Sequence, residues 1–322
     1  MKRFIVAVLV LMAVSAMAFG KGKGKEIKVL YWNIQNGMWS DQGNNYDNFV
    51  AFVKDLDPDI CVWAEAESRY VTDTCSRLKA PEEQYLPWNW DILARRYGHS
   101  YSLLCGKRDG FPQVVTSKYP LQIVKRITGN GDDILVAHGA GWAKVDLGKG
   151  KELNIVTVHT WPHRHGYGAE DKKASGEARE GDYFRATEMK YICEETIATV
   201  PGASEELWLM TGDFNSISSV DNFHYEKDAS DPAFLVHDYV RANTPYIDLI
   251  ERFYPGEFKK STLSGRRIDF AYVTPALFGK VTSAKPLYEG FADLRRDPRG
   301  KDVHNFCHPS DHYPILLTFK LK

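Results

Sequence analysis

Short apolar runs that each end at a polar residue are the feature of this chain that most restricts its fold. Such endings occur at Asn33, Glu65, His159 and Asp213. An apolar run of about four to eight residues suits a buried β-strand. Strand ends and the loops beyond them are where a rigid scaffold presents catalytic side chains. The pattern therefore predicts a sheet protein that carries chemically active groups at its strand ends.

Helical and extended patterns alternate along the chain without an internal repeat. Apolar residues at helical spacing predict helices at residues 46–56 and 183–200. The predicted strands are residues 27–32, 60–63, 113–117, 121–126, 141–146, 153–159, 207–211, 268–273 and 313–321. Because some strands follow one another directly and others are separated by helices, we expect an α/β sandwich of two packed sheets with helices outside.

Residues 1–20, MKRFIVAVLVLMAVSAMAFG, have the three parts of an export signal. Lys2 and Arg3 precede a short apolar run, and Ala16 and Ala18 supply the small residues of a cleavage site. We expect a signal peptide at residues 1–18, a flexible lead-in at 19–26 and a single domain at 27–322, exported to the periplasm or the exterior. The rest of the sequence has no second long apolar run, so we expect no membrane span.

Charge and cysteine content narrow the class of protein further. The chain has 41 Lys and Arg against 42 Asp and Glu, which gives a formal net charge of −1. This balance argues against a polycation that binds nucleic acid through bulk charge, although it leaves a local basic groove open. Five cysteines are too few for a disulfide scaffold. Export permits a disulfide among them, but the sequence assigns no pairing.

The polar residues at the strand ends form a set suited to the hydrolysis of phosphate esters. Carboxylate and amide oxygens are ligands for hard cations such as Mg²⁺ or Mn²⁺. Histidines beside them can act as acids, bases or donors to phosphate. Taken alone, each motif has a simpler interpretation, because Gly-Asp-Phe-Asn at 212–215 suits a turn and Ser-Asp-His at 310–312 suits a helix start.

Seven segments in a fixed order favour the functional interpretation. They are YWN at 31–33, PDICVWAE at 58–65, SKYPL at 117–121, VHT at 158–160, GDFN at 212–215, RIDF at 267–270 and SDHYP at 310–314. With these segments the sequence resembles the endonuclease/exonuclease/phosphatase superfamily, which has the DNase I-like fold. The resemblance extends from Asn33 to the end of the chain. It implies a four-layer α/β sandwich and a metal-dependent hydrolase that acts on phosphate esters.

The resemblance also implies a metal site. Glu65 is expected to be the principal ligand of Mg²⁺ or Mn²⁺, with Asn33 and Asp311 near it. Glu67 follows Glu65 by two residues. It is either a second ligand or a solvated loop carboxylate, and we favour the loop carboxylate.

The implied catalytic residues are His159, Asp213, Asn215, Asp269 and His312. Asp213 and Asn215 would position the attacking water or the phosphate. His312, oriented by Asp269, would be the general base or a phosphate contact. His159 would lie across the phosphate as an acid or as an electrostatic stabiliser. The sequence does not decide which histidine is the acid and which is the base.

Several further features have both a functional and a structural interpretation. The histidine-rich turn at 159–165 could hold zinc, but we favour a loop that faces the substrate. The polar stretch at 166–182 is interpreted as an insertion, either a surface loop or a substrate lid. Arg266 and Arg267 are either a phosphate contact or a surface pair. The tryptophans that either stack on a ligand or pack in the protein are Trp39, Trp88, Trp90 and Trp161.

These observations lead to one preferred function and two alternatives. We expect an exported, monomeric, metal-dependent phosphodiesterase that acts on a small or lipid-derived phosphate ester. A secreted nuclease with the same mechanism is the first alternative, and nucleic acid is not the favoured partner because the net charge is mildly acidic. A non-catalytic binding module that uses aromatic loops is the second.

Overall fold

Two six-stranded sheets form the frame of the protein in the computed structural model, which describes residues 24–67, 89–294 and 308–321. The strands are β1 (Lys25–Asn33), β2 (Ile60–Ala64), β3 (Tyr101–Cys105), β4 (Gln113–Ser117), β5 (Leu121–Gly129), β6 (Leu135–Gly148), β7 (Lys151–His159), β8 (Trp208–Asp213), β9 (Ile247–Asp248), β10 (Asp269–Val273), β11 (Val281–Pro286) and β12 (Ile315–Leu321). The first sheet has the order β11-β12-β1-β2-β4-β3, and the second has the order β5-β6-β7-β8-β10-β9.

Helices flank the two sheets and fill the connections between strands. They are α1 (Gln35–Met38), α2 (Asp47–Leu56), α3 (Trp90–Arg96), α4 (Lys172–Glu177), α5 (Glu180–Glu194), α6 (Asn222–Tyr225), α7 (Leu235–Asn243), α8 (Leu249–Phe253) and α9 (Pro275–Phe278). None of the helices in the described residues combines the length and the apolar character that a bilayer crossing requires.

Strand β1 shows how the layers are held together. Its residues alternate between two apolar environments, as the pleat of a strand requires. Val29 and Tyr31 lie in the core between the sheets, whereas Leu30 and Trp32 pack against residues of α2 and α3. On the second sheet, side chains of α5 and α7 cover residues of β8 and β10 in the same way. The order helix, sheet, sheet, helix confirms the predicted four-layer α/β sandwich.

The predicted elements agree with the observed ones best where a strand is buried on both faces. The strand at 113–117 has the predicted bounds, and β1, β2 and β7 differ from the prediction by two residues or fewer at each end. Residues 25 and 26, which we assigned to the lead-in, belong to β1. Strands β3, β9 and β11 were not predicted. β11 has mostly part-buried residues, and β9 has two residues, so neither gives a clear apolar pattern.

The polar stretch at 166–182 is not a loop throughout. It contains α4, whose first turn is capped by the Asp171 carboxylate, and the start of α5. The helix predicted at 183–200 begins earlier, at Glu180, and ends at Glu194. Sequence patterning placed its start wrongly because the buried face of α5 includes Asp182, Arg185 and Glu188. Charged residues on a buried face hide the apolar period that identifies a helix.

Some predictions fall outside the described residues. These are the signal peptide at 1–18, most of the lead-in, and the interpretation of Trp88. Cys61, Cys105 and Cys193 are buried and free, whereas Cys75 and Cys307 also lie outside the described range. Trp90 packs in the core against Trp63, so its structural interpretation is correct.

A buried ion-pair network fixes the segment that enters β10. The guanidinium of Arg267 donates to Asp221 Oδ2 at 2.6 Å and to Asp248 Oδ2 at 2.8 Å. It also lies 4.2 Å from the centre of the Phe270 ring. The side chain is 2% exposed, so the predictions of a phosphate contact and of a surface pair are both wrong for Arg267. Its neighbour Arg266 is exposed.

Replacement of Arg267 by leucine is expected to destabilise the fold by about 3–5 kcal/mol, because it leaves two buried carboxylates without their cation. Urea denaturation followed by circular dichroism measures the change. The matched control is Arg266→Leu, one residue earlier, which should unfold within about 0.5 kcal/mol of the wild type. Equal stability of the two variants would contradict the network.

Candidate active site

The pairing of strands brings the predicted site residues to one edge of the sandwich. In the first sheet β1 and β2 are parallel, with Asn33 opposite Ala64, so Asn33 lies beside the start of the loop that carries Glu65. In the second sheet β7 and β8 are parallel, with His159 opposite Asp213. β10 runs antiparallel to β8 and begins at Asp269, again opposite Asp213. The carboxyl ends of both parallel strand pairs therefore lie at the same edge of the sandwich as the start of β10.

Local sequence explains the geometry of the Gly-Asp-Phe-Asn segment. A Cβ on Gly212 would lie 1.9 Å from the carbonyl oxygen of Val158, so only glycine permits the observed approach of β7 and β8. Phe214 is buried against Phe270 and anchors the turn. Asn215 has a φ of 46°, a conformation that asparagine tolerates better than most residues.

Asn33 links the two sheets at the centre of the site. Its side-chain amide donates to Glu65 Oε1 at 3.2 Å and to Asp213 Oδ2 at 3.0 Å. Its Oδ1 accepts the backbone N–H of Gln35 at 3.0 Å. Glu65 also accepts the backbone N–H of Asn36 on Oε2 at 2.9 Å, which holds its carboxylate from both sides. In this arrangement Asn33 orients two carboxylates, and its own oxygen is engaged by the chain.

Asp269 and His312 form a hydrogen-bonded pair in which both oxygens of the carboxylate have a partner. His312 donates Nδ1–H to Asp269 Oδ2 at 2.7 Å, and Asp269 Oδ1 accepts the hydroxyl of Tyr31 at 2.6 Å. The other ring nitrogen of His312 lies 3.7 Å from Asp213 Oδ2 and 3.9 Å from Asp311 Oδ1. Although burial alone disfavours the imidazolium, Asp269 and Asp213 raise the pKa of His312 well above its usual value. The ring is therefore protonated at neutral pH, with Nε2–H turned toward the acids.

Asp213 lies close to both His159 and His312. Its Oδ1 accepts the backbone N–H of Asn215 at 2.8 Å, and its Oδ2 lies 4.0 Å from His159 Nε2. Burial, followed by the charge of Asp269, raises the pKa of the Asp213 carboxyl. A carboxylate whose basicity is raised in this way is a better proton acceptor than a solvated one.

His159 and Asn215 are held by backbone carbonyls. His159 donates Nδ1–H to the carbonyl of Phe111 at 3.2 Å, so its Nε2 is the nitrogen on the side of Asp213. Asn215 donates to the carbonyl of Thr160 at 3.0 Å, which ties the turn after β8 to the residue after His159. All eight residues predicted from the sequence therefore lie together.

The site opens into a cleft of about 460 Å³. Its acidic and histidine lining consists of Glu65, His138, His159, Asp213, His308, Asp311 and His312. The remaining wall includes Phe111, Pro162 and the segment that carries Arg266. Arg266 is the one arginine or lysine that lines the cleft among the described residues. The structure therefore separates the two neighbouring arginines, with Arg266 at the cleft and Arg267 in the core.

The carboxylates at the open side of the cleft fit a hard divalent cation. Glu65 and Asp311 both line the cleft, and burial, and then the charge of Glu65, raise the pKa of Asp311. A cation between them would remove this repulsion, and the donor atoms are oxygens, as Mg²⁺ and Mn²⁺ prefer. A second group of potential ligands, Asp213, Asp269 and His312, has donor atoms within 4.8 Å of one another. Its Asp269–His312 hydrogen bond already engages two of these ligands, so we interpret it as the proton-handling part of the site.

The histidine-rich turn shows no zinc site within the described residues. The group of potential metal ligands found among the described residues is Asp213, Asp269 and His312, and it includes neither His163 nor His165. His163 and His165 stack on each other with ring centres 4.8 Å apart, and both contact Trp161.

Two residues at the site escaped the sequence analysis. His138 lies inside β6, before the strand that the apolar pattern predicted, and Asp109 lies in the turn before β4. A single histidine in an apolar strand gives no signal that distinguishes a site residue from a packed one. Only the fold brings it beside His159, with ring centres 4.5 Å apart.

Comparison with known proteins places the chain in a family. A model of the endonuclease/exonuclease/phosphatase family matches residues 30–312. No curated protein sequence matches the chain. Among solved structures, an AP endonuclease from Archaeoglobus fulgidus is similar over 92% of this chain and 100% of that one, with a TM-score of 0.61 and 14% identity.

Two eukaryotic structures are similar at the level of the fold. The human Nocturnin catalytic domain with bound sulfate has a TM-score of 0.55 and 12% identity, over 92% of this chain and 94% of that one. Truncated Caenorhabditis elegans TDP2 has a TM-score of 0.53 and 18% identity, over 93% of this chain and 99% of that one. The sandwich is thus the DNase I-like fold, and the chain belongs to the endonuclease/exonuclease/phosphatase family of enzymes that hydrolyse phosphate esters.

Proposed function

We propose that this enzyme hydrolyses a small or lipid-derived phosphodiester by divalent-metal-assisted attack of water. The observation that carries the proposal is the convergence of Glu65, Asp311, Asp213 and two histidines on one cleft, with Arg266 at its rim. This set provides oxygen ligands for a cation, a proton acceptor and donors to phosphate in one place.

The size and charge of the cleft favour a small substrate over nucleic acid. A volume of about 460 Å³ lies within the range of roughly 300–1,000 Å³ that small-molecule sites occupy. Proteins that bind nucleic acid neutralise several phosphates with lysine and arginine. Among the described residues Arg266 alone supplies such a charge to the cleft, which suits one phosphate group. The similarity to an AP endonuclease makes a nuclease the alternative that an experiment has to address.

Each residue has a role that follows from its contacts. Asp213, with raised basicity and an anchored Oδ1, accepts the proton of the attacking water. His312, held by Asp269, donates from Nε2 to a phosphate oxygen. His159, fixed through Nδ1, presents Nε2 to the phosphate and stabilises the departing oxygen. Asn215 keeps the turn in register through Thr160.

Glu65 and Asp311 would hold the metal ion, and Asn33 would orient Glu65. When bound there, a divalent cation supplies Lewis-acid neutralisation of the phosphate charge. The residues around it restrict the ion to the open side of the cleft, because Asp269 and His312 are bonded to each other.

We also infer that residues 1–18 direct export and are removed, so that the mature chain begins near Phe19. The support is the charged start, the apolar run and the small residues at 16 and 18. A hydrolase outside the cytoplasm would act on phosphate esters released there or presented by lipids. We expect the mature enzyme to be a monomer.

A panel of esters with and without metal tests the proposed function. Small phosphodiesters, a phospholipid headgroup ester, single-stranded DNA and RNA should be offered with Mg²⁺, with Mn²⁺ and with EDTA. We expect hydrolysis of the small or lipid-derived esters, lost in EDTA and restored by either ion. Activity that survives EDTA would contradict the metal site, and cleavage of nucleic acid alone would establish the nuclease alternative.

Substitution of Glu65 separates the metal site from the rest of the fold. Glu65→Gln removes a charge at nearly constant volume, so the metal concentration for half-maximal activity should rise by about tenfold or more. The matched control is Glu67→Gln, two residues later, which should keep the wild-type metal requirement. If the metal concentration for half-maximal activity rose in the control alone, Glu67 and not Glu65 would be the metal ligand.

Substitution of the histidines tests their catalytic roles. Because an acid–base group contributes about 10²–10⁴-fold and a donor to the transition-state charge about 10²–10³-fold, His312→Ala and His159→Ala should each lower kcat at least about a hundredfold. Asp269→Asn should also slow the reaction, through loss of orientation of His312. His163→Ala, an exposed histidine of the neighbouring turn, is the control and should keep normal kcat. A folded His159→Ala variant with normal kcat would leave His312 as the only catalytic histidine.

A further inference from the structure

His138 stands at one end of a row of polar residues that cross the second sheet. In the order of that sheet its strand β6 is followed by β7, β8 and β10, which carry His159, Asp213 and Asp269. The ring of His138 stacks on that of His159 at an interplanar angle of 25°. Buried Glu188 accepts the backbone N–H groups of Ala137 at 2.7 Å and of Trp161 at 2.9 Å, so the residues next to both histidines are tied together.

Asp109 determines which nitrogen of His138 carries the proton. Its Oδ2 lies 2.7 Å from His138 Nδ1, and its Oδ1 accepts the backbone N–H of Phe111 at 3.0 Å. A carboxylate is an acceptor, so Nδ1 is the donor in this pair. In the neutral ring Nε2 then has a free lone pair. Burial and the charge of His159 lower the pKa of His138, although the Asp109 carboxylate acts in the opposite direction. The lowered pKa keeps the ring neutral.

Nε2 of His138 is a buried acceptor without a partner. It has almost no contact with solvent and no hydrogen bond from the described residues. The side chain is 8% exposed, and it lines the cleft beside His159. A buried polar atom without a partner is costly and calls for an explanation. No described residue offers a donor there and the ring lines the cleft, so the partner of this atom would be a substrate hydroxyl or a water of the cleft.

Simple packing does not explain this atom. His99 is also buried, and its two nitrogens contact Thr116 Oγ1 at 3.0 Å and the carbonyl of Pro58 at 2.9 Å. Buried His237 likewise contacts the hydroxyl of Tyr272 at 2.8 Å and the carbonyl of Ser216 at 3.1 Å. These two buried histidines therefore have a partner at both nitrogens. His138 differs from them and faces the cleft.

A metal ion is also a poor explanation for the free nitrogen. An imidazole held by a carboxylate is a common metal ligand, but a site needs further ligands nearby. The group of candidate ligands found among the described residues is Asp213, Asp269 and His312, and His138 is not part of it.

We propose that His138 reads a hydroxyl group of the substrate, accepting its O–H on Nε2, and so selects phosphate esters of polyols or sugars. The inference rests on the proposed function. A phosphodiester carries no proton on its phosphoryl oxygens at neutral pH, so its phosphate cannot donate to this nitrogen. Within the substrate the donor is therefore a hydroxyl of the alcohol portion, whereas a water bound in the cleft would serve esters with and without that hydroxyl equally. Sites built to bond a substrate hydroxyl reject analogues that lack it.

Matched ligands that differ only in hydroxyl groups test the proposal. The binding of glycerol 3-phosphate and of propyl phosphate to the full chain is measured by calorimetry with Mg²⁺ present. Hydrolysis of the 4-nitrophenyl esters of the same two phosphates is measured in parallel. We expect the hydroxylated member of each pair to be favoured at least about tenfold, the effect of one hydrogen bond in a buried site.

Two variants connect that preference to His138. His138→Phe keeps an aromatic ring over His159 but has no acceptor, so both preferences should fall to near one while the propyl ligands are little affected. His138→Leu also has no acceptor and is smaller, so it should remove the preference in the same way. His163→Phe is the control and should keep it. Circular dichroism verifies folding, and if His138→Phe does not fold, His138→Leu and the wild-type ratios decide.

The outcomes are distinct. Equal binding of the two phosphates by the wild type, or a preference that survives in a folded His138→Phe variant, would overturn the inference. Preferential binding of glycerol 3-phosphate without hydrolysis of either ester would support the inference and contradict the proposed function. A third arm, which compares a ribose with a deoxyribose dinucleotide, shows whether the hydroxyl belongs to a nucleic-acid sugar or to a small polyol.

Discussion

The hydrogen bond from the Asn33 amide to Asp213 is the contact on which the site depends, because it joins the two sheets where their strand ends meet. Asn33 closes a strand of the first sheet and Asp213 a strand of the second, and 3.0 Å separates their polar atoms. Tyr31, two residues earlier, makes a second bond of this kind to Asp269 at 2.6 Å. Apolar packing holds the sheets together, and the buried hydrogen bonds add directional contacts with a narrow range of favourable geometry. These two bonds therefore fix the register of the sandwich at the catalytic edge.

The second constraint is the cost of burying acids. Asp213 and Asp269 are each 2% exposed or less, and carboxylates at such positions need cations or donors. His312 supplies a positive charge to both, and Tyr31 and Asn33 supply neutral donors. The same balance that makes these acids tolerable underlies the roles that we propose for them, because Asp213 becomes more basic and His312 is held as a donor. The proposed chemistry thus follows from how the fold satisfies its buried charges.

The layers could be predicted from the sequence because they depend on local pattern, and the ordered motifs of the family resemblance indicated the eight candidate residues that the fold brings to one edge. A buried strand shows as an apolar run, and the polar residue that ends it must lie at the edge of a sheet, as Asn33 and Asp213 do. The sequence did not predict the environment of residues whose contacts come from distant parts of the chain. Arg266 and Arg267 are neighbours of identical chemistry, yet one reaches the cleft and the other reaches Asp248 across the core. Helix α5 was placed wrongly for a related reason, since its buried face carries ion-paired residues that no apolar period reveals.

His138 shows most clearly how the contacts of a side chain determine whether it can donate or accept a hydrogen bond. Two histidines of this cleft each donate Nδ1–H to an aspartate at 2.7 Å, so the two pairs are chemically alike. Their surroundings differ. His312 faces further carboxylates, which raise its pKa, whereas His138 is buried against another histidine, which lowers its pKa. One ring is therefore a donor and the other an acceptor at the same pH. The cleft therefore has a donor at the His312–Asp269 pair and an acceptor at His138. A ligand with an anionic oxygen at one end and a hydroxyl at the other satisfies both rings in a single orientation.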